Sequence, residues 1–263
     1  MTPQEMEARL LYRDGLMLVI VKPAGLPVHR GPQAAGMKNI RALEEYFDAL
    51  RFGLPRVPGL AHRLDRETSG CLVLGRHRKA LETLGKLFKD SKIGKTYWAL
   101  VEGGPEEDEG TIDLPLGRRD ETRGWWMKVD FAGGHPSTTT WKVMGRADGK
   151  TWLALEPVTG RTHQLRVHCQ AKGWPMVGDN IYGAAPRFDG PGLQLLAREI
   201  VVPLYKNRDP VRVTAPVPPH MREGLMACGW SCDDDIIFSA HSRERGNPAE
   251  KDLAPRVRGD ERN

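Results

Sequence analysis

The stretch His62-Arg63-Leu64-Asp65-Arg66-Glu67-Thr68-Ser69-Gly70 runs directly into the apolar Cys71-Leu72-Val73-Leu74. Thr68-Ser69-Gly70 is turn chemistry and the apolar residues read as a buried strand, so Asp65 sits just ahead of a bend into the core. With 62–65 extended, Arg63 and Asp65 project to one side and His62 and Leu64 to the other. Bends at the ends of rigid elements are where scaffolds present reactive groups. Taken alone, the same residues also fit an ordinary salt-bridged surface loop.

Working outward, Arg13-Asp14-Gly15 predicts a turn, Leu16 to Val21 a buried strand, and Lys22-Pro23-Ala24-Gly25 its stop. Ile40, Leu43, Phe47 and Leu50 recur at helical spacing, which predicts an amphipathic helix over 39–51. A second helix is expected over 77–90, with Leu81, Leu84 and Phe88 inward and Lys79, Lys86 and Lys89 outward. Short strands are expected at 96–102, 111–116, 137–144, 151–156 and 194–202. The acidic run Glu106-Glu107-Asp108-Glu109 reads as a hairpin tip. Strands joined by short turns, with helices not alternating regularly, predict an α+β fold on a largely antiparallel sheet.

Two further clusters bear on chemistry. Thr159-Gly160-Arg161-Thr162-His163-Gln164-Leu165-Arg166-Val167-His168 predicts a third helix starting after Thr159, with Arg161 in its first turn. A cation there opposes the helix dipole by about 0.3–1 kcal/mol, which a partner carboxylate would offset. At 100° per residue Leu165 lies near Arg161 on the helix surface and Arg166 lies away from it, so Arg161 and Leu165 are expected to line one wall. His163 and His168 lack the acidic residue of a zinc-protease helix and read as core or capping histidines. In Gly94-Lys95-Thr96-Tyr97-Trp98-Ala99-Leu100-Val101-Glu102-Gly103, Tyr97, Ala99 and Val101 share one strand face. A tyrosine there can stack on a base in a polar cleft, or be a core tyrosine with its hydroxyl satisfied.

Composition bounds these readings. The chain has 263 residues, 40% apolar and 28% charged, enough for one large or two small globular domains. The longest clean apolar run is far short of the roughly 20 residues a membrane helix needs, and the N-terminus has no signal-peptide pattern; a cytoplasmic protein is expected. Cys71, Cys169, Cys228 and Cys232 are too scattered for a disulfide framework and complete no metal site. Residues 1–232 hold 33 Lys/Arg against 26 Asp/Glu, and the window 61–100 holds nine against four. That concentration is the footprint of a polyanion binder, or a solvated basic helix face. Residues 239–263 are charge-dense and poor in apolar groups, so 233–263 is expected to be a disordered tail behind one domain spanning 1–232.

Together these clusters resemble one family. His62-Arg63-Leu64-Asp65, with Thr68-Ser69-Gly70 at its offset, is similar to the catalytic signature of the RluA-type RNA pseudouridine synthases. Supporting motifs stand in the family's order: Val21-Lys22-Pro23-Ala24-Gly25, Lys95-Thr96-Tyr97-Trp98-Ala99-Leu100-Val101, Gly160 to His168, and Gly173-Trp174-Pro175-Met176-Val177-Gly178-Asp179-Asn180-Ile181-Tyr182-Gly183. The match spans roughly 10–220. Two departures stand out: Leu196 occupies a position where the family often has histidine, and the small N-terminal RNA-binding module of many relatives is not expected here.

The resemblance implies isomerisation of uridine in structured RNA, ribosomal or transfer, to pseudouridine, on a mixed sheet with flanking helices and a central RNA-binding cleft. It implies Asp65 as the essential carboxylate, Arg161 as its ion-pair partner, and Tyr97 stacked on the target base and able to assist proton removal from carbon 5. Arg63 would fill the place of the flipped nucleotide or hold a phosphate, and Leu165 would pack opposite Tyr97. The basic helix 77–90 would hold the RNA backbone. No cofactor or metal is required, and RNA is the one expected partner of a monomer. Two other classes remain open at this point: an RNA-binding factor that has lost catalysis, and an acid–base nuclease using His163 and His168.

Overall fold

The computed structural model describes residues 1–29, 41–119, 126–187 and 189–232. The expected tail and Ile40 lie outside the described residues. A Thr2–Glu5 capping box starts helix α1 (Pro3–Glu7), and strand β1 (Leu10–Arg13) follows. One Asp14 carboxylate oxygen accepts the N–H groups of Leu16 and Met17, which makes the expected turn. β2 (Met17–Lys22) is buried on both faces: Val19 enters one core, Leu18 and Ile20 another. That explains its lack of polar alternation.

A 3-10 helix (Leu43–Leu50), β3 (Gly59–Leu60), β4 (Ser69–Gly75) and α2 (Arg78–Lys89) come next. β5 (Gly94–Glu102), β6 (Glu109–Asp113), β7 (Leu116–Arg118), β8 (Met127–Val129), β9 (Thr138–Ala147) and β10 (Lys150–Pro157) form the middle. α3 (Gln164–Ala171), β11 (Leu195–Val202), β12 (Val211–Thr214) and α4 (Pro219–Ala227) complete the fold. No helix among the described residues is long and apolar enough to cross a membrane.

The fold is α+β, built on a mixed, mostly antiparallel sheet in the order β1-β2-β4-β11-β5-β10-β9-β6. β4 and β11 form its parallel junction, which is short: Leu196 faces Ser69 and Ala197 faces Gly70. Beyond it β3 takes the edge of β4 and β12 the edge of β11, so the two strands diverge from touching starts. Gly70 sits at that vertex with φ +114°, and a Cβ there would fall 2.2 Å from the Ala197 carbonyl oxygen. Glycine alone permits that approach.

Side chains alternate between faces and build separate clusters. Trp98, Leu100, Leu196, Leu84 of α2 and Leu225 of α4 pack on one face. On the other, Met6, Phe47 and Leu50 cover Leu18, Ile20 and Leu72, while Leu165 and Cys169 of α3 cover Ala99, Val101 and Leu153. Tyr97 touches both clusters of that second face and marks the seam between them.

Three expectations need correction. The segment expected as an α-helix over 39–51 is a 3-10 helix, although Leu43, Phe47 and Leu50 are buried as the spacing requires. The expected strand 111–116 is broken at Pro115, which has no N–H to give a ladder; β7 then pairs with β8 in a separate two-stranded sheet. The acidic run is not a hairpin tip, because β5 and β6 are not neighbours. It is gathered by Arg146, which donates to the Asp108 carboxylate and the carbonyls of Pro105, Glu106 and Glu107.

Candidate active site

A cavity of about 600 Å³ opens at the seam. Its lining comes from the loop between β3 and β4 (Arg63, Leu64, Asp65), the end of α2 (Phe88, Lys89), the start of β5 (Lys95, Tyr97), and the segment Pro157 to Arg166. All five residues singled out in the sequence, Arg63, Asp65, Tyr97, Arg161 and Leu165, therefore face one space.

The Asp65 loop is fixed largely through the main chain. His62 turns inward, where its Nε2 accepts the Val73 N–H at 3.0 Å and its ring stacks on Phe88 with centroids 4.4 Å apart. Burial drives its pKa down to about 4, so the imidazole stays the neutral acceptor this bond needs. Lys22, at the end of β2, is fully buried and donates from Nζ to the carbonyls of Pro23 (2.7 Å) and Arg66 (2.8 Å). Burial lowers its pKa to about 7 although Glu67 and Asp65 pull it upward. Leu64 packs into the core. Asp65 stays partly open to the cavity and Arg63 is exposed beside it, the alternation expected of an extended 62–65.

The opposite wall differs from its sequence reading. α3 begins at Gln164, not at 160 or 161, and Arg161 stands ahead of it, exposed. The Gln164 side chain ends the preceding turn: its Oε1 accepts from the Thr159 hydroxyl and the Arg161 N–H, and its Nε2 donates to Thr138 and Thr139. Outside the helix, the 100° phase no longer governs Arg161. Among the described residues it makes no ion pair with Asp65. Arg166 is the buried cation instead, with Nε and Nη2 donating to the two Asp179 carboxylate oxygens at 2.8 and 2.6 Å. Burial opposes its charge, but Asp179 and, more weakly, Asp65 outweigh that and hold its pKa up. Asp179 also accepts the N–H groups of Ile181 and Tyr182, and its carboxyl is held below the usual range: burial pushes up, the Arg166 guanidinium and the amides win.

Leu165 is buried on the wall beside Tyr97. Burial first and the Asp65 charge second raise the Tyr97 pKa, so its hydroxyl is a phenol near neutrality. His163 has φ +53°, a left-handed conformation costing on the order of 1 kcal/mol for a non-glycine residue. Its Nε2 lies 3.8 Å from Asp65 and its Nδ1 2.8 Å from the Tyr182 hydroxyl. His168 is buried elsewhere, bonded through one nitrogen to Thr139 and the other to the Leu114 carbonyl. It is a core histidine, and the His163/His168 nuclease pairing falls with it.

Sequence reasoning thus missed Lys22, His163, Arg166 and Asp179 as parts of the site. Each stood in a quoted motif, but the partners of Lys22 and Arg166 lie 44 and 13 residues away and leave no local periodic signal.

Known proteins share both sequence and fold. The family model for RNA pseudouridylate synthase matches residues 16–171. An uncharacterized RNA pseudouridine synthase of Zymomonas mobilis is 38% identical over 211 residues, covering 80% of this chain and 94% of that protein. Ribosomal large subunit pseudouridine synthase C of Haemophilus ducreyi is 34% identical over 225 residues, 83% of this chain and 68% of that one. Among solved structures, human RNA pseudouridylate synthase domain containing 1 superposes with a TM-score of 0.66 at 28% identity, covering 91% and 96% of the two chains. Human RNA pseudouridylate synthase domain containing 4 shares the fold with a TM-score of 0.70 at 24% identity. The chain, with its Asp65 cleft on this sheet, belongs to the RNA pseudouridylate synthase family and is an enzyme that isomerises uridine in RNA to pseudouridine.

Proposed function

We propose that Asp65 is the catalytic carboxylate and that it acts on a uridine turned out of structured RNA into the cavity. The observation that carries this is the placement of Asp65, partly open, on the rim of a cavity whose walls are Tyr97 and Leu165. A base inside a helix cannot reach such a cavity, and flipping it costs a few kcal/mol. Tyr97 stacks on the flipped base, Leu165 packs against its other side or the sugar, and Arg63 takes the vacated place or a phosphate. The bond from ribose to uracil nitrogen 1 breaks, the base turns, and carbon 5 joins the same ribose carbon. The carbon 5 proton leaves to solvent past the Tyr97 hydroxyl and nitrogen 1 takes a proton from solvent.

Arg166, rather than Arg161, supplies the buried positive charge behind Asp65. Arg161, exposed, lines the cavity together with the half-buried Lys95 and is suited to a phosphate. The exposed Lys79, Lys86 and Lys89 of α2 hold the RNA backbone, contacts that position without specifying. Ribosomal RNA is the favoured substrate, since relatives similar over most of this chain are named for the ribosomal large subunit. The protein acts as a monomer.

RNA from a cell lacking the enzyme, labelled with tritium at carbon 5 of uridine, tests the reading. Tritium should pass to water while the strand stays intact, and release should come from ribosomal rather than transfer RNA. Intact label on both fractions, with folded and RNA-bound protein, would overturn it.

A further inference from the structure

Tyr182 and His163 have no part in the chemistry described so far, yet they link Asp65 to the rigid floor of the site. The phenol oxygen of Tyr182 accepts the Met127 N–H at 2.9 Å. Its other contact, at 2.8 Å, is His163 Nδ1. A phenol that accepts one hydrogen bond has its own proton to place, and Nδ1 is the acceptor in reach. Nδ1 is then unprotonated, the ring proton sits on Nε2, and Nε2 is the atom 3.8 Å from the Asp65 carboxylate. We propose that Tyr182 fixes His163 in the tautomer that turns its Nε2–H toward Asp65, making the pair a positioning unit for the catalytic carboxylate. The proposal rests on the reading of Asp65 given above.

Three other features support it. Asp179 accepts the Tyr182 N–H and Arg166 lies over the Tyr182 ring at 5.2 Å, so the tyrosine is held from both ends. His163 stands at the start of α3 in a left-handed conformation, with its Nε2 on the Asp65 side. Strain of that kind persists where the surroundings over-determine it, most often at functional sites. The charged groups around the imidazole are Asp65, Arg63, Arg166 and Asp179; burial first, helped by the two arginines, lowers its pKa, so near neutrality it is a donor and not a second cation. At 3.8 Å this is no hydrogen bond in the free protein, but an N–H turned toward a carboxylate favours one orientation of it without quenching its charge as a full ion pair does.

The test combines a spectrum of the free protein with turnover. With nitrogen-labelled histidine, the His163 signals are identified among the eight histidines by their loss in His163→Gln. Wild type should show Nδ1 unprotonated and Nε2 protonated. Tyr182→Phe keeps the ring and removes the hydroxyl; it should give mixed tautomers and a turnover number lower by about tenfold or more, with RNA affinity unchanged. His163→Gln, whose amide can place an N–H near the Nε2 position, should retain more turnover than His163→Leu. A proton on Nδ1 in the wild type, or a Tyr182→Phe variant in which tautomer and turnover do not change together, overturns the proposal. The tautomer is read without substrate, so a wild-type protein with the expected tautomer but no tritium release would instead sink the reading of the reaction and the positioning role with it.

Discussion

The two walls of the cleft carry equally dense motifs, yet different contacts hold them. The Asp65 wall is fixed through main-chain groups: Lys22 binds two carbonyls, His62 binds an amide, and Gly70 lets β4 touch β11. The opposite wall is fixed through side chains, chiefly the Gln164 amide and the Arg166–Asp179 pair. On the first wall the residue type needed at each position does not depend on which side chains its partners carry, because those partners are main-chain atoms. On the second it depends on partners from other segments, and there two arginines five residues apart exchange the roles their helical spacing suggests.

The sharpest way to break that contrast is to remove the two arginines in turn. Arg166→Ala leaves Asp179 buried without its cation, which should cost about 3–5 kcal/mol of unfolding free energy and most of the turnover. Denaturant melts of both variants give the ranking. If Arg161→Ala proved the more destabilising, the side-chain account of this wall would be wrong.

On the other wall, Gly70→Ala should cost about 2–3 kcal/mol, from the unfavourable φ and the clash with Ala197 together. A neutral melt would mean that β4 and β11 can part at no cost, and that the Asp65 loop is not pinned there.

Lys22 allows a finer test by pH. Its folded-state pKa of about 7 lies below the ordinary 10.5, so between those values the unfolded chain binds more protons than the folded one. The buried ammonium therefore opposes folding most fully below about pH 7, and the penalty fades as pH rises toward 10. Wild-type stability relative to Lys22→Met should climb through that window by up to about 1.4 kcal/mol per pH unit. A flat difference would show that Lys22 is not desolvated. The smallest effect is expected at Arg161→Ala: a stability change within about 0.5 kcal/mol, as for other exposed positions, with weaker RNA binding and a shallower salt dependence.

Most of the fold was legible where patterns are local. β2, β5 and α2 follow from unbroken apolar runs and helical spacing. The bend after Asp65 exists but falls at Arg66–Glu67, closed by the Thr68 N–H on the Asp65 carbonyl; Ser69 and Gly70, expected in the turn, already belong to β4. β6 and β7 were not separated, because the effect of Pro115 on the ladder is decided by which strand comes alongside. α1 was missed although Thr2, Pro3 and Glu5 spell a helix start; the segment was too short to show a period. The start of α3 was misplaced since Gln164 ends the turn only by reaching Thr138 and Thr139, about 25 residues away. Four residues of the cleft were hidden for the same reason. Their meaning lies in long-range pairing: His163 and Arg166 line the cavity as the five legible residues do, but their partners Tyr182 and Asp179 stand 19 and 13 residues away.

One substitution bears on the whole reading. Asp65→Asn keeps the shape of the residue on the cavity rim and removes its charge, and Lys22 and His62 still hold the loop. Tritium release from carbon 5 of uridine should become undetectable, while melting temperature and RNA affinity change little because phosphate contacts dominate binding. Turnover within about tenfold of wild type, a change too small for loss of the reacting group, would remove Asp65 from the chemistry and contradict the assignment of the site.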